Sequence, residues 1–232
     1  MDIIDKLSKE QEIGEKQKKV SSKVLDEIIT CYKTSLDKIN IYLQESYMLC
    51  IDSIEKTKMD YGAGDITEFS IACADSQNHM HFSAGTGLFL SALINNCKEN
   101  NFVIYTNHLQ WPVDFMFYNN LKNIIVNGPI GKHAGMHMVD GCVSINGYAD
   151  VFLGNFMAKG RMIVNGNTKF GAGYLMRKDA VLEINGDYDT ISTSCAGKIY
   201  HNGVLLFENN YPIKDCSENA IFEDSPFMYK KK

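Results

Sequence analysis

His79 and His81 are one residue apart, so on an extended strand their imidazoles would share one face. With Cys73 upstream they could begin a metal site, because imidazole and thiolate are common zinc ligands. No equally clear third and fourth ligand follows. A polar strand face is the simpler reading, and the sequence predicts no bound metal. Ser83-Ala84-Gly85-Thr86-Gly87 precedes the apolar run LFLSALINN. Gly85, Thr86 and Gly87 could cradle a phosphate or carboxylate at a helix N-terminus, where free N–H groups gather. The segment lacks the lysine of a P-loop and the full dinucleotide spacing. A glycine-rich entry to a helix accounts for it without a cofactor. His133 and His137, four apart, give way to Phe152 and Phe156 and then to Gly171 and Leu175 in the equivalent positions downstream. Asp150 and Asp189 share a column with Gly131 and Lys169. If the chain coils, they would lie two coils, or about 10 Å, apart at about 4.8 Å per coil. That is near the upper edge for an inverting pair of acids. No local signature supports a Ser-His-Asp or Cys-His nucleophile, so no catalytic residue is assigned.

The bulk composition narrows the setting. With 232 residues, 45% of them hydrophobic and 22% charged, the chain has the material for a globular core. A formal charge of −5 argues against general nucleic-acid binding. Lys230-Lys231-Lys232 is the sole basic run. No segment approaches the roughly 20 apolar residues of a membrane span. The opening MDIIDKLSKEQE lacks the basic start and apolar centre of a signal peptide, which predicts a cytoplasmic protein. Seven scattered cysteines without a CxxC pair read as reduced, mostly buried thiols.

The elements that must position these residues are of two kinds. The first 57 residues contain no proline and a single glycine, Gly14. Apolar residues recur at Leu25, Ile29, Tyr32, Leu36, Ile39, Leu43, Tyr47, Cys50 and Ile54, close to a 3.5-residue seam. The spacing predicts a long helix or helical hairpin, with a break near Gly14 and a cap at Ser21-Ser22. Such a seam must pack on the chain itself or on another copy, and Leu25 to Leu43 are the candidate oligomerisation residues. TEFSIACAD and HMHFSA read as strands, LFLSALINNCKEN as a short helix and FVIYT as another strand.

From Ile124 onward the chain repeats every 19 residues. Asn127-Gly128, Asn146-Gly147 and Asn165-Gly166 align, as do Gly135, Gly154 and Gly173, and Met138, Met157 and Met176. Gly141 and Gly160 match, Asp179 breaks that column, and a looser line keeps Asn185-Gly186. Asn-Gly also marks β-hairpins. Alternating apolar residues, however, precede these turns and do not follow them. One short strand per fixed period predicts a parallel β-solenoid. Asn and Gly would take positive φ at sharp corners, and the methionines would point inward. FVIYT, about one coil upstream of IIVNG, could be an earlier coil.

The run Gly135-Met136-His137-Met138-Val139-Asp140-Gly141, with Gly154-Asn155-Phe156-Met157-Ala158-Lys159-Gly160, resembles the GXGXG repeat domain. That domain occurs at the C-terminus of the glutamate synthase large subunit and in one of the subunits of formylmethanofuran dehydrogenase. The resemblance covers residues 102–207 and implies a right-handed parallel β-helix that packs against catalytic parts rather than performing the chemistry. The glutamine amidotransferase, flavin-barrel and iron–sulfur patterns that accompany it there are missing here.

The sequence therefore predicts a mainly β protein. Residues 1–60 would be helical, 61–101 a capping α/β segment, 102–210 the β-helix and 211–232 a tail or cap. The expected role is a non-catalytic structural or assembly protein, self-associating or docking a protein partner through the N-terminal helix. The alternatives are an accessory subunit of an oxidoreductase or glutamate-synthase-like complex, and a stand-alone enzyme with a groove on the β-helix.

Overall fold

The computed structural model describes residues 23–192 and 194–208, and the backbone of 228–230. Gly14, Ser21-Ser22 and most of the expected C-terminal cap lie outside these residues.

The solenoid is built by strands β1 (Asn101–Tyr105), β2 (Asn123–Asn127), β3 (Cys142–Asn146), β4 (Lys159–Val164), β5 (Asp179–Ile184) and β7 (Lys198–His201). They pair in parallel, each on the next, over about five turns. Ile124 sits on Val143 and Val143 on Met162, while the next step runs from Met162 to Leu182. FVIYT is the first coil, with Ile104 opposite Val126. A second parallel ladder on another side of the coil joins Ile130, Ala149, Thr168 and Tyr188. The short β6 (Thr190–Ser192) pairs antiparallel with β9 (Met228–Lys230), and β8 (Val204–Glu208) turns back antiparallel onto β7.

Why the chain coils here follows from what the strands bury. Ile124, Val126, Val143, Ile145, Met162, Val164, Leu182 and Ile184 alternate inward and are fully buried, and so are Met138, Met157 and Met176. Each such side chain contributes on the order of 1.5–3 kcal/mol when taken from water. A strand five residues long cannot bury that face alone, so the coils must stack.

The Asn-Gly corners work differently from the expectation of positive φ. Of these glycines only Gly128 has it (φ 131°), and none of the asparagines does. A Cβ on Gly147 would run into the carbonyl of Gly128, and one on Gly166 into that of Gly147. The glycines are required by backbone approach. The asparagines form a ladder of side-chain amides: Asn146 donates to Asn127 (3.0 Å), Asn165 to Asn146 (2.8 Å) and Asn185 to Asn165 (2.9 Å). Positive φ is found instead at the opposite turn, at every second residue: His133, Gly135 and His137; Phe152, Gly154 and Phe156; Gly171, Gly173 and Leu175.

The described residues before β1 form helices joined by turns and no strand, which corrects two strand assignments. TEFSIACAD lies in α3 (Ala63–Ala72) and a following 3₁₀ turn, and HMHFSA lies in a turn and the start of α4 (Phe82–Asn96). Short β-branched and aromatic runs do not distinguish strand from buried helix, and here packing decided. The seam is also broken. Residues 23–36 form α1 and Leu43–Thr57 form α2, with a turn at 37–42 between them. Asn40 accounts for the turn: its side chain accepts the Tyr42 N–H (2.7 Å), and its own N–H donates to Ser46 (3.1 Å). Tyr32, Leu36, Ile39, Tyr47, Cys50 and Ile54 are buried in the chain's own core, and Leu25, Ile29 and Leu43 pack against its edge. One continuous cluster runs from these helices through α4 into the coils.

Two glycine substitutions test this account. Gly147→Ala should lower stability by about 1–3 kcal/mol through overpacking of stacked backbones. Gly64→Ala has open space around the new methyl inside α3 and should raise stability by about 0.5–1 kcal/mol. Denaturant melts of both variants check the opposite signs.

Candidate functional site

The glycines expected to cradle an anion lie inside a helix rather than ahead of one. Gly85, Thr86 and Gly87 are buried in α4. A Cβ on Gly85 would strike Leu36 and Ile39, and one on Gly87 the backbone carbonyl of Asp114. The Thr86 hydroxyl is bonded to the Tyr32 hydroxyl at 2.7 Å. These residues let α1 and the loop before the second coil press against α4, and their N–H groups are used within the helix.

His79 and His81 lie on the turn into α4, with ring centroids 5.7 Å apart. Both nitrogens of His79 are engaged. Nε2 is 3.2 Å from Asp37 Oδ1, and Nδ1 accepts the His81 N–H at 3.2 Å. Among the described residues no three His, Cys, Asp or Glu side chains gather as metal ligands. Burial pushes the thiols of Cys50, Cys73 and Cys195 up to about 12, so they are protonated and weakly nucleophilic near neutrality.

His133 and His137 belong to aromatic columns on the turn of alternating positive φ. The His133 ring stacks between Phe115 (5.1 Å, 4°) and Phe152 (5.2 Å, 7°). His137 stacks on Phe156 at 5.0 Å. Their spacing of four residues therefore serves ring stacking between coils. Asp150 and Asp189 do share a column, but Lys169 stands between them and pairs with Asp150 at 3.1 Å. The position between the two acids is thus taken by a lysine paired with one of them, unlike the open water position of an inverting pair.

A concave site forms where the helical cap meets the first coils. This cleft of about 360 Å³ has Gln77, His79 and Met80 on one side and Trp111, Asp114, Lys132 and Asp150 on the other. The loop carrying Trp111 is pinned. Gln77 Oε1 accepts the N–H groups of Gln110 (2.6 Å) and Trp111 (3.1 Å), the Ser83 hydroxyl donates to the Pro112 carbonyl, and the Asp114 N–H donates to Ser83 O (3.1 Å). Asp114 Oδ1 accepts the Lys132 N–H at 2.7 Å and lies over Gly131, where any Cβ would collide with it. Burial raises the Asp114 carboxyl above the ordinary range, opposed by the Lys132 N–H and its ammonium.

Sequence reading reached His79 and Asp150 of this cleft and missed Gln77, Trp111, Asp114 and Lys132. The available signal was a lone tryptophan in a polar segment, HLQWPVD. Comparison of the chain with protein-family models, curated proteins and solved structures finds no match.

The partly buried His133 gives a pH signature. Its pKa is lowered from 6.5 to about 4, chiefly by burial and then by the Lys132 charge. The unfolded chain takes up this proton near 6.5 and the folded chain only near 4, so stability should fall as pH drops through that window. His133→Phe keeps a ring between Phe115 and Phe152 and removes the titration. Its melting temperature should exceed the parent's increasingly from pH 6.5 down to 4. Calorimetric melts check this, each kcal/mol being worth about 2–4 °C.

Proposed function

We propose that this chain is a non-catalytic assembly module. In this reading the solenoid is a rigid body, and its N-terminal helical segment docks a second copy or a protein partner. The observation that carries the reading is the turn between α1 and α2. The seam itself faces the chain's own core, yet Ile41 and Tyr42 at this turn are 89% and 61% exposed, and Met48 on α2 is exposed as well. Two consecutive exposed apolar side chains at the turn of an otherwise packed helical pair fit a contact surface. The repeat supports the rigid-body role, since its asparagines, glycines and methionines are all used in stacking. A right-handed coil and a cytoplasmic setting are part of this proposal. Among the described residues no helix is long and apolar enough to cross a membrane.

Light scattering on the full chain tests it. A mass above that of one chain is expected at micromolar concentration. Ile41→Asp with Tyr42→Asp should return it to one chain with the melting temperature unchanged, because neither side chain is in the core. A parent of single-chain mass that co-purifies with no protein, or a variant that keeps the parent's mass, overturns the reading.

A further inference from the structure

We propose that the cleft between the helical cap and the first coils binds a neutral pyranose sugar. The ring would stack on Trp111 and its hydroxyls would bond to Asp114, Asp150 and Lys132. This goes beyond the assembly role and does not depend on it.

Three features converge on that ligand. The first is a platform. Trp111 is 54% exposed, although its backbone and the loop on either side are held by Gln77 and Ser83. A large aromatic face presented on a pinned loop costs a ligand no loop ordering. Its negative π-face attracts the weakly positive C–H bonds of a sugar ring. The second is polar capacity in the same lining. Asp150 uses Oδ1 for both the Val151 N–H (2.9 Å) and the Lys169 ammonium (3.1 Å), which leaves Oδ2 to accept from a hydroxyl. Asp114 bonds the Lys132 N–H through Oδ1 and also interacts with the Ser83 side chain, so Asp150 offers the freer carboxylate.

The third is charge. The lining carries both signs, with the carboxylates of Asp114 and Asp150 beside the ammonium of Lys132, while Lys169 pairs with Asp150 from outside the lining and His79 is paired with Asp37. A cation or an anion entering this cleft meets its own sign. A neutral molecule whose hydroxyls both donate and accept meets a partner for each. The volume, about 360 Å³, lies in the range of small-molecule sites, which begins at about 300 Å³.

Trp111 is the only tryptophan of the chain, so its fluorescence reads the cleft alone. The full chain is titrated with glucose, galactose, mannose, N-acetylglucosamine and their short oligomers, and with putrescine and inorganic phosphate as charged comparisons. A saturable emission change with at least one neutral sugar is expected, and none with putrescine or phosphate. By calorimetry, Trp111→Ala should weaken that sugar at least tenfold with an unchanged melting temperature. Gln77→Ala, which releases the loop, should weaken it to a lesser degree. Silence across all the sugars overturns the proposal. So does a response to putrescine or phosphate alone, or a Trp111→Ala variant that binds as the parent does.

Discussion

The structure depends on how closely one coil's backbone lies over the next. Parallel pairing sets strands about 4.8 Å apart, and the corners must hold that spacing where no strand exists. Gly147 over Gly128, Gly166 over Gly147 and Gly160 over Gly141 meet it by having no side chain toward the coil below. Once the backbones are that close, like residues fall on like. The asparagine amides then bond from coil to coil, the methionines fill the interior, and His133 is clasped between two phenylalanines. Changing a corner glycine would disturb all of these together.

A stack of coils has two ends, and this chain treats them differently. At the start, α3 packs beside β1, and the Thr67 hydroxyl lies 2.7 Å from the Val103 carbonyl. The apolar seam of α1 and α2 closes over α4, with Tyr32 packed edge-on against Phe69 and beside Phe89. The helices are thus a cap that shares the solenoid's core. At the far end β8 reverses onto β7 and closes the parallel ladder with an antiparallel strand. The cleft lies where residues of the first cap, Gln77 to Ser83, meet the loop and coil residues Trp111, Asp114, Lys132 and Asp150. The loop from Thr106 to Asp114 carries Trp111 into that lining.

The repeat was legible because each coil solves the same steric problem with the same residues. Asn-Gly, the spaced glycine and the methionine kept their register, and the first coil announced itself through FVIYT. Their separate roles were less legible. Positive φ belonged to the turn of His133 and Gly135, where phenylalanine and histidine adopt it as well, so residue type alone did not mark it. The helical cap was hardest, since a run such as TEFSIACAD is apolar enough for either element.

What the sequence determined by itself is the solenoid, its period and its buried columns, because a one-dimensional repeat maps directly onto contacts between neighbours. What only the tertiary structure decided is everything assembled across distant segments. Gln77 meets the backbone of Trp111, Asp114 meets Lys132, and Tyr32 meets Thr86. The fate of the helical seam, packed in cis with a turn at Asn40, was decided there too. Those pairings have no period along the chain. They follow from how the cap settles on the first coils, and spacing in sequence carries no record of that.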